Sequence, residues 1–373
     1  MQAWKLAAGM AVAASTATAG GIERTAQSVA PIFEDGNYFE FSVGSVQPEI
    51  TGSVAGTASG NMAADYTQVG FAYKHQFSEK LSFALIYDQP YGADVAYPSG
   101  TGYSFAGATA ELNTSALTGV LRYKVNDNFS VHGGLRYQTM EAAIAIPVLA
   151  GNIAGYEAVG ESDGATGYLV GVAYEIPDIA LRVALTYNSS IKHENVTTES
   201  AGFGAISIPS TVTEINAPQS VNLDFQTGIA KDTLLFGGVR WVDWSEFDIT
   251  PTLFTTGVSP GSSLVAYDND TYTYNIGVGR RFTENFAASV SMSYEASQGG
   301  ISSNLGPTDG KFGVTIGGRY TMDNVTISGG INYTWIGDAN TNALAPPAAA
   351  TLIQSDFNDN SAIGVGLRVG VTF

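Results

Sequence analysis

The sequence predicts an all-β chain, a transmembrane antiparallel β-barrel of about 14 strands with a short N-terminal hatch segment. Three observations predict it. The final stretch alternates Ile363, Val365, Leu367, Val369, Val371 and Phe373 with Gly364, Gly366, Arg368, Gly370 and Thr372. A strand puts alternate residues on opposite faces, so one face is continuously apolar and the other small or charged, as lipid outside and a lumen inside require. The same period of two recurs along most of the chain, and short and long connections alternate between the repeats. The chain ends on an aromatic residue, the form of closing strand that barrel-assembly machinery reads. Because a sheet edge cannot stand in hydrocarbon, that strand needs a partner near the other end of the chain.

Composition bounds the partners. The 373 residues include 44 Gly, 19 Tyr, 18 Phe and no Cys, with 13% charged residues and a formal net charge of -18. Such acidity excludes nucleic acid, which demands a basic face. It suits contact with outer-membrane lipid and lipopolysaccharide bridged by divalent cations. Residues 1–19 read as a secretory signal: Lys5, the apolar run Leu6 to Ala14, then the small-x-small site Ala17-Thr18-Ala19. No stretch of about 18 apolar residues exists to make a membrane helix.

Residues 20–36 form the hatch candidate. Ile22, Ala26, Val29, Ala30 and Phe33 fall at helical spacing, interrupted by Pro31. A plug in the barrel mouth and a periplasmic tether both fit. The barrel occupies 37–373. Phe39, Phe41 and Val43 open the alternation, and Val69, Phe71 and Tyr73 follow. Leu81, Phe83, Leu85 and Tyr87 continue it, with Ile86 out of phase. Leu117, Leu121 and Tyr123 oppose Thr118, Arg122 and Lys124; Val131, Leu135 and Tyr137 oppose His132, Arg136 and Gln138. Tyr168, Val170 and Val172 oppose Gly167, Gly171 and Ala173; Leu181, Val183, Leu185 and Tyr187 oppose Arg182, Thr186 and Asn188. In the second half, Val221, Leu223 and Phe225 oppose Asn222, Asp224 and Gln226. Leu234 to Trp244 is apolar on both faces, so its orientation is open. Strands through Tyr272–Val278, Phe286–Tyr294, Phe312–Tyr320 and Val325–Trp335 lead to the closing one.

Tight turns fall at Ser78-Glu79-Lys80, Asn126-Asp127-Asn128, Pro177-Asp178, Lys231-Asp232, Thr283-Glu284-Asn285 and Asp323-Asn324. Long connections are expected around 47–66, 97–110, 146–165, 191–219, 246–270, 295–310 and 338–360. Tyrosines near strand ends, such as Tyr73, Tyr137 and Tyr320, suit interfacial girdles. One strand breaks its pattern: Asp88, Gln89, Pro90, Tyr91 and Gly92 interrupt a third strand running from Leu81 to Tyr97. Pro90 cannot donate to a ladder. Either the strand kinks there and parts from its neighbour, or it ends and a loop begins.

Several stretches resemble the FadL family of outer-membrane transporters for long-chain fatty acids and other hydrophobic compounds, including its TodX-like members. Pro218-Gln219-Ser220 leading to Trp241-Val242-Asp243-Trp244-Ser245-Glu246-Phe247 looks like that family's "P-x-S … W-x-x-W-S-x-F" strand pair. Tyr187-Asn188-Ser189-Ser190-Ile191-Lys192-His193 looks like its "Y-x-S-x-I-K-H" strand. The resemblance implies a 14-stranded barrel with an N-terminal hatch, cargo capture among extracellular loops, and lateral exit at a kink in the third strand, where Asp88–Gly92 lies. The family's Asn-Pro-Ala hatch motif is missing here, and the hatch is short.

The expected function is therefore passive uptake of a hydrophobic ligand, with long-chain fatty acids the leading class; a general diffusion porin or a structural surface barrel is the alternative. Capture residues would be Ile146, Val148, Leu149 and Ile153 on one loop and Phe203, Ile206 and Ile208 on another, since apolar loop clusters suit hydrophobe capture. They could equally pack on each other. Lys192, Arg136 and Arg182 are candidates to meet a carboxylate, or to pair with lumenal acids. His75, His132 and His193 show no metal-ligand spacing, and no Gly-x-Ser-x-Gly elbow exists, so no metal, no cofactor and no enzymatic activity are expected.

Overall fold

The computed structural model describes residues 22–148, 154–343 and 353–373. The signal segment, Leu149 and Ile153 lie outside the described residues. Fourteen antiparallel strands close a barrel. They are β1 (Tyr38–Glu49), β2 (Tyr66–Gln76), β3 in two pieces (Leu81–Asp88 and Gly92–Ala96), β4 (Thr109–Lys124), β5 (Phe129–Val148) and β6 (Ala154–Ile176). β7 (Leu181–Asn188 and Ile191–Ala201) and β8 (Thr211–Ala217 and Ser220–Ala230) are also divided. β9 (Thr233–Val242), β10 (Thr271–Arg281), β11 (Phe286–Glu295), β12 (Lys311–Met322), β13 (Val325–Ile336) and β14 (Asn360–Thr372) complete the wall. Closure runs from Tyr38 opposite Thr372 to Glu49 opposite Ser361, so no edge is left in hydrocarbon.

The alternation sorts as the sequence requires. Ile363, Val365 and Leu367 of β14 are exposed to the lipid side, while Ala362 is buried inward. Across β9, the open case, Leu234, Arg240 and Val242 turn inward. Two expected loops are corrected. The connections placed around 146–165 and 191–219 are largely strand, because β5, β6, β7 and β8 continue their ladders there. β6 has 23 residues, about twice the 9–11 a bilayer needs. Outward Glu157, Glu161, Lys192 and Glu194 made these stretches look like loops although the period of two persists.

The N-terminal segment is not helical, against its spacing. Its one helical turn is a 3-10 turn, Ala30–Phe33, with Pro31 near its start; before it Gln27 takes a left-handed φ of 53°. Val29, Ile32 and Phe33 pack inside the barrel on Ala72, Ala84, Ile86 and Val120. Ile86 was out of phase because it faces this segment rather than lipid. Phe33 sits between two cations, 4.5 Å from the Arg122 guanidinium and 4.7 Å from that of Arg182, an attractive arrangement over an aromatic face. Above the barrel, five short strands (Gly52–Val54, Thr57–Ala58, Ile301–Ser302, Ala339–Ala343 and Ile353–Phe357) form a cap. Met62, Tyr97, Tyr103, Phe105 and Phe357 fill its underside.

Candidate functional site

The wall parts between β2 and β3. Below the break, Phe71 lies opposite Tyr87. Above it, Ala63 lies opposite Val95, and the Ala64 and Ala96 amides donate to Asp94 and Met62 carbonyls at 2.9 and 2.8 Å. Both pairings share one register, so nothing has been inserted; the strands separate and rejoin. Between them Tyr66–Gly70 of β2 have β1 as their one strand partner in the wall, and Gly92 and Ala93 have β4. The parted length is roughly 20 Å at the usual rise per residue. Pro90 explains the start of it: the residue has no N–H to offer β2. The kink is pinned from the other side, where Thr114 Oγ1 accepts from the Tyr91 amide at 2.9 Å and donates to its carbonyl at 2.7 Å.

The gap is filled from inside. Arg24 and Thr25 amides donate to the Pro90 carbonyl at 2.8 and 3.2 Å, and the Gly92 amide donates to the Ile22 carbonyl at 2.8 Å. The N-terminal segment thus pairs with β3 where β2 does not. Gln68 Nε2 donates to the Arg24 carbonyl at 3.0 Å, and Thr25 Oγ1 donates to Asp88 at 2.7 Å. Gln89 turns its side-chain Oε1 to the Val69 amide at 3.0 Å, replacing one lost ladder bond. Arg24 pairs with Asp94 and lies 4.4 Å over the Tyr66 ring. Its guanidinium fills the space a side chain at position 92 would take: a Cβ there would fall 2.3 Å from Arg24 Cζ. Deeper in, Glu23 accepts from buried Arg240 at 2.7 Å, and Asn222 Nδ2 donates to the Ala26 carbonyl at 2.8 Å.

Two cavities meet this segment. The first, about 70 Å³, is walled mainly by Ala110, Leu112, Ile144, Ala158, Ile215, Ile249, Leu264 and Val265. The second, about 120 Å³, lies beside the gap, walled by Val46, Ile50, Met62, Tyr66, Val95 and Ile336 with Arg24 and Asp94. Ile22, Ala93 and Leu305 border both, so Ile22 stands between the inner cavity and the one at the wall. The β9–β10 connection closes the inner cavity from above. Its Trp244 and Phe247 are buried and stack edge-on at 5.6 Å. Glu199 holds its Phe254–Val258 turn, accepting from Leu253 and Phe254 amides at 2.9 and 3.0 Å and from Tyr156 Oη at 2.9 Å.

Both the sequence and the fold match known proteins. A family model described as outer membrane protein transport protein (OMPP1/FadL/TodX) matches residues 7–373. The chain belongs to the FadL/TodX family. It is an outer-membrane β-barrel transport protein of a family made of channels rather than enzymes. A FadL homologue from Pseudomonas aeruginosa superposes with a TM-score of 0.77 at 15% identity, covering 98% of each chain. The Pseudomonas putida toluene transporter TodX gives 0.63 at 13% identity over 91% of this chain and 90% of that one. The CymD monoaromatic hydrocarbon channel gives 0.60 at 12% over 95% and 98%. At these identities the likeness is one of fold. No curated protein sequence matches this one.

Within this FadL/TodX barrel the residues singled out from sequence scatter. Asp88–Gly92 frame the parted wall, with Tyr91 buried and edge-on to Trp244 at 5.9 Å. Ile146 is buried under the cap and Ile208 packs against the same cluster. Phe203 and Ile206 are exposed at the top of the tall wall. Val148 ends β5. Lys192 lies on the outer face, 2.6 Å from Glu214 and 3.3 Å from Glu194. Arg136 is buried against Thr118 and Asn188 at 2.9 and 3.2 Å, and Arg182 donates to Gln226 at 3.2 Å. None of the three lines either cavity. His193 has orienting partners: Asp163 lies 3.3 Å from Nδ1 and Gln138 lies 3.1 Å from Nε2. Sequence reasoning missed Glu23, Arg24 and Asp94, whose partners lie far off in the chain, and missed Ile249, Leu264 and Val265 in a connection. A run of apolar residues in a supposed surface loop was the available signal for the last group.

Proposed function

We propose that this barrel takes up hydrophobic compounds passively, holding them in the inner cavity and releasing them sideways between β2 and β3. The observation that carries the reading is the shared register above and below the parted wall. A loop would not return to register, whereas an opening built into one strand does. Cargo passes from the inner cavity past Ile22 to the wall cavity, and the Ile22–Thr25 segment withdraws to let it out. The toluene transporter TodX and the monoaromatic hydrocarbon channel CymD lend support by family and fold. The apolar walls speak against a general diffusion porin, whose lumen is polar.

Long-chain fatty acids fit this path less well than neutral hydrophobes. No lysine or arginine lines the inner cavity among the described residues, and an unpaired buried carboxylate is costly. Arg24 at the wall cavity is already paired with Asp94. The test replaces Pro90 and Gly92 together with Thr and Val, which continue the ladder, and measures uptake of toluene, decane and oleate in cells lacking the native protein. The reading expects a folded, heat-modifiable barrel with uptake lost. Full uptake by the doubly substituted barrel removes the lateral exit.

A further inference from the structure

Two residues that border the inner cavity each carry a polar atom without a partner among the described residues. Asn195 of β7 and Thr213 of β8 lie directly opposite one another in the ladder, both border the cavity, and they are 1% and 3% exposed. Asn195 Nδ2 donates to the Met140 and Glu161 carbonyls, each at 2.8 Å. Those two bonds fix the amide, since a flip would set its oxygen against two carbonyls. Asn195 Oδ1 is then left with no partner among the described residues, and so is Thr213 Oγ1. Neighbouring Thr197 does not supply one, because its hydroxyl donates to the Asn195 carbonyl at 3.0 Å. Buried polar atoms in native proteins are almost always bonded, so a pair of orphans on one wall of a cavity calls for an occupant.

We infer that the inner cavity takes an uncharged hydrocarbon bearing one hydroxyl, an alcohol or a phenol, whose O–H donates to Asn195 Oδ1 while its oxygen accepts from Thr213 Oγ1. A hydroxyl is the small group that donates and accepts at once. A ketone, an ether or a carboxylate only accepts, so each leaves Asn195 Oδ1 facing a lone pair. A carboxylate in addition finds no cation there. An ammonium finds no inward carboxylate: Glu111 borders the cavity but has the outer-face parity of its strand and is exposed. The rest of the lining is aliphatic or small, with the Tyr267 ring, and matches the hydrocarbon body. This inference rests on the proposed uptake of hydrophobes and narrows it to a class of cargo.

The test is equilibrium binding of p-cresol, toluene and p-toluate to the full-length mature protein in lipid nanodiscs, with empty nanodiscs subtracted. The three share a methylbenzene body and differ in the head group. Wild type is expected to bind p-cresol about tenfold more tightly than toluene, the effect of one net hydrogen bond, and p-toluate least. Thr213→Val, an isosteric change that leaves the bond to Asn195 Oδ1, is expected to lower that preference to about threefold while toluene binding stays the same. Thr213→Ser is expected to keep the preference. Equal binding of p-cresol and toluene by wild type, or preferred binding of p-toluate, overturns the hydroxyl assignment and leaves hydrophobe uptake standing. Binding of none of the three, with toluene uptake by cells indifferent to the protein, overturns both.

Discussion

Asp94→Asn is the sharpest perturbation of the segment that fills the parted wall. It keeps the shape of the side chain and one acceptor oxygen but removes the charge facing Arg24. Arg24 is 7% exposed and Asp94 26%, so the pair lies between a surface ion pair, at about 0.2–1 kcal/mol, and a buried one, where breaking costs about 3–5 kcal/mol. An intermediate figure of about 1–2 kcal/mol is appropriate, because Arg24 keeps its seat over Tyr66. That raises the withdrawn population roughly five- to thirtyfold. The chain has no cysteine, so Ile22→Cys gives a unique thiol at the border of the two cavities. Its rate of labelling by a maleimide reports the withdrawn fraction when opening is fast. Asp94→Asn should speed labelling by that factor and raise toluene uptake in parallel. Faster labelling with unchanged uptake would show that withdrawal of the segment does not gate passage, and the reasoning fails.

Gln89→Ala takes the acceptor from the Val69 amide at the wall and should cost about 1–3 kcal/mol, read as an earlier thermal transition in detergent; an unchanged transition shows that the amide finds another partner. Burial pushes the Glu34 carboxyl up to about 7, with Arg319 opposing, Glu40 adding to the rise, and Arg182 and Arg368 opposing. The neutral form is therefore the one seated. Its contribution is complete below the ordinary value of 4.5 and is lost as pH rises through about 7. Proteolysis of the N-terminal segment should then accelerate between pH 6 and pH 8 relative to Glu34→Gln assayed at the same pH, and a constant ratio contradicts this. Glu199→Ala leaves the Leu253 and Phe254 amides and Tyr156 Oη without their acceptor. It should loosen the β9–β10 connection, seen as faster protease cleavage between residues 250 and 265 with the barrel still folded.

The barrel was legible because its signals are local. A period of two, a turn every second connection and an aromatic end need no knowledge of what lies across the molecule. The break at Asp88–Gly92 was legible for the same reason, since Pro90 announces a missing donor wherever it stands. What fills the break was not. Glu23 and Arg24 fall between apolar residues at helical spacing, and only the fold brings Glu23 to Arg240 and Arg24 to Asp94. Parity could have gone further than it did. His193 and Asn195 take the inner face of β7, so Lys192 had to be outside and unable to meet a ligand in the lumen. Asn195 and Thr213 carried no signal beyond being polar on an inward face, because their lack of partners depends on three neighbouring strands.

The position of the N-terminal segment has a physical reason. A wall opened in hydrocarbon leaves the backbone groups of Tyr66–Gly70 on one lip and of Pro90–Gly92 on the other, and each unmet group there is costly. Filling the bore with a large plug would not answer that cost, because the unmet groups lie in the wall. A few residues in extended form do answer it, by offering a carbonyl to Gly92 and two amides to Pro90. The segment then behaves as a removable piece of strand, and Gln68 and Gln89 meet what it leaves over. The bore itself is obstructed by other means, by Trp244 and Phe247 from the β9–β10 connection. On the proposed route, separating the two tasks lets cargo sit in the inner cavity under a closed top while only the strand-like piece has to move for release.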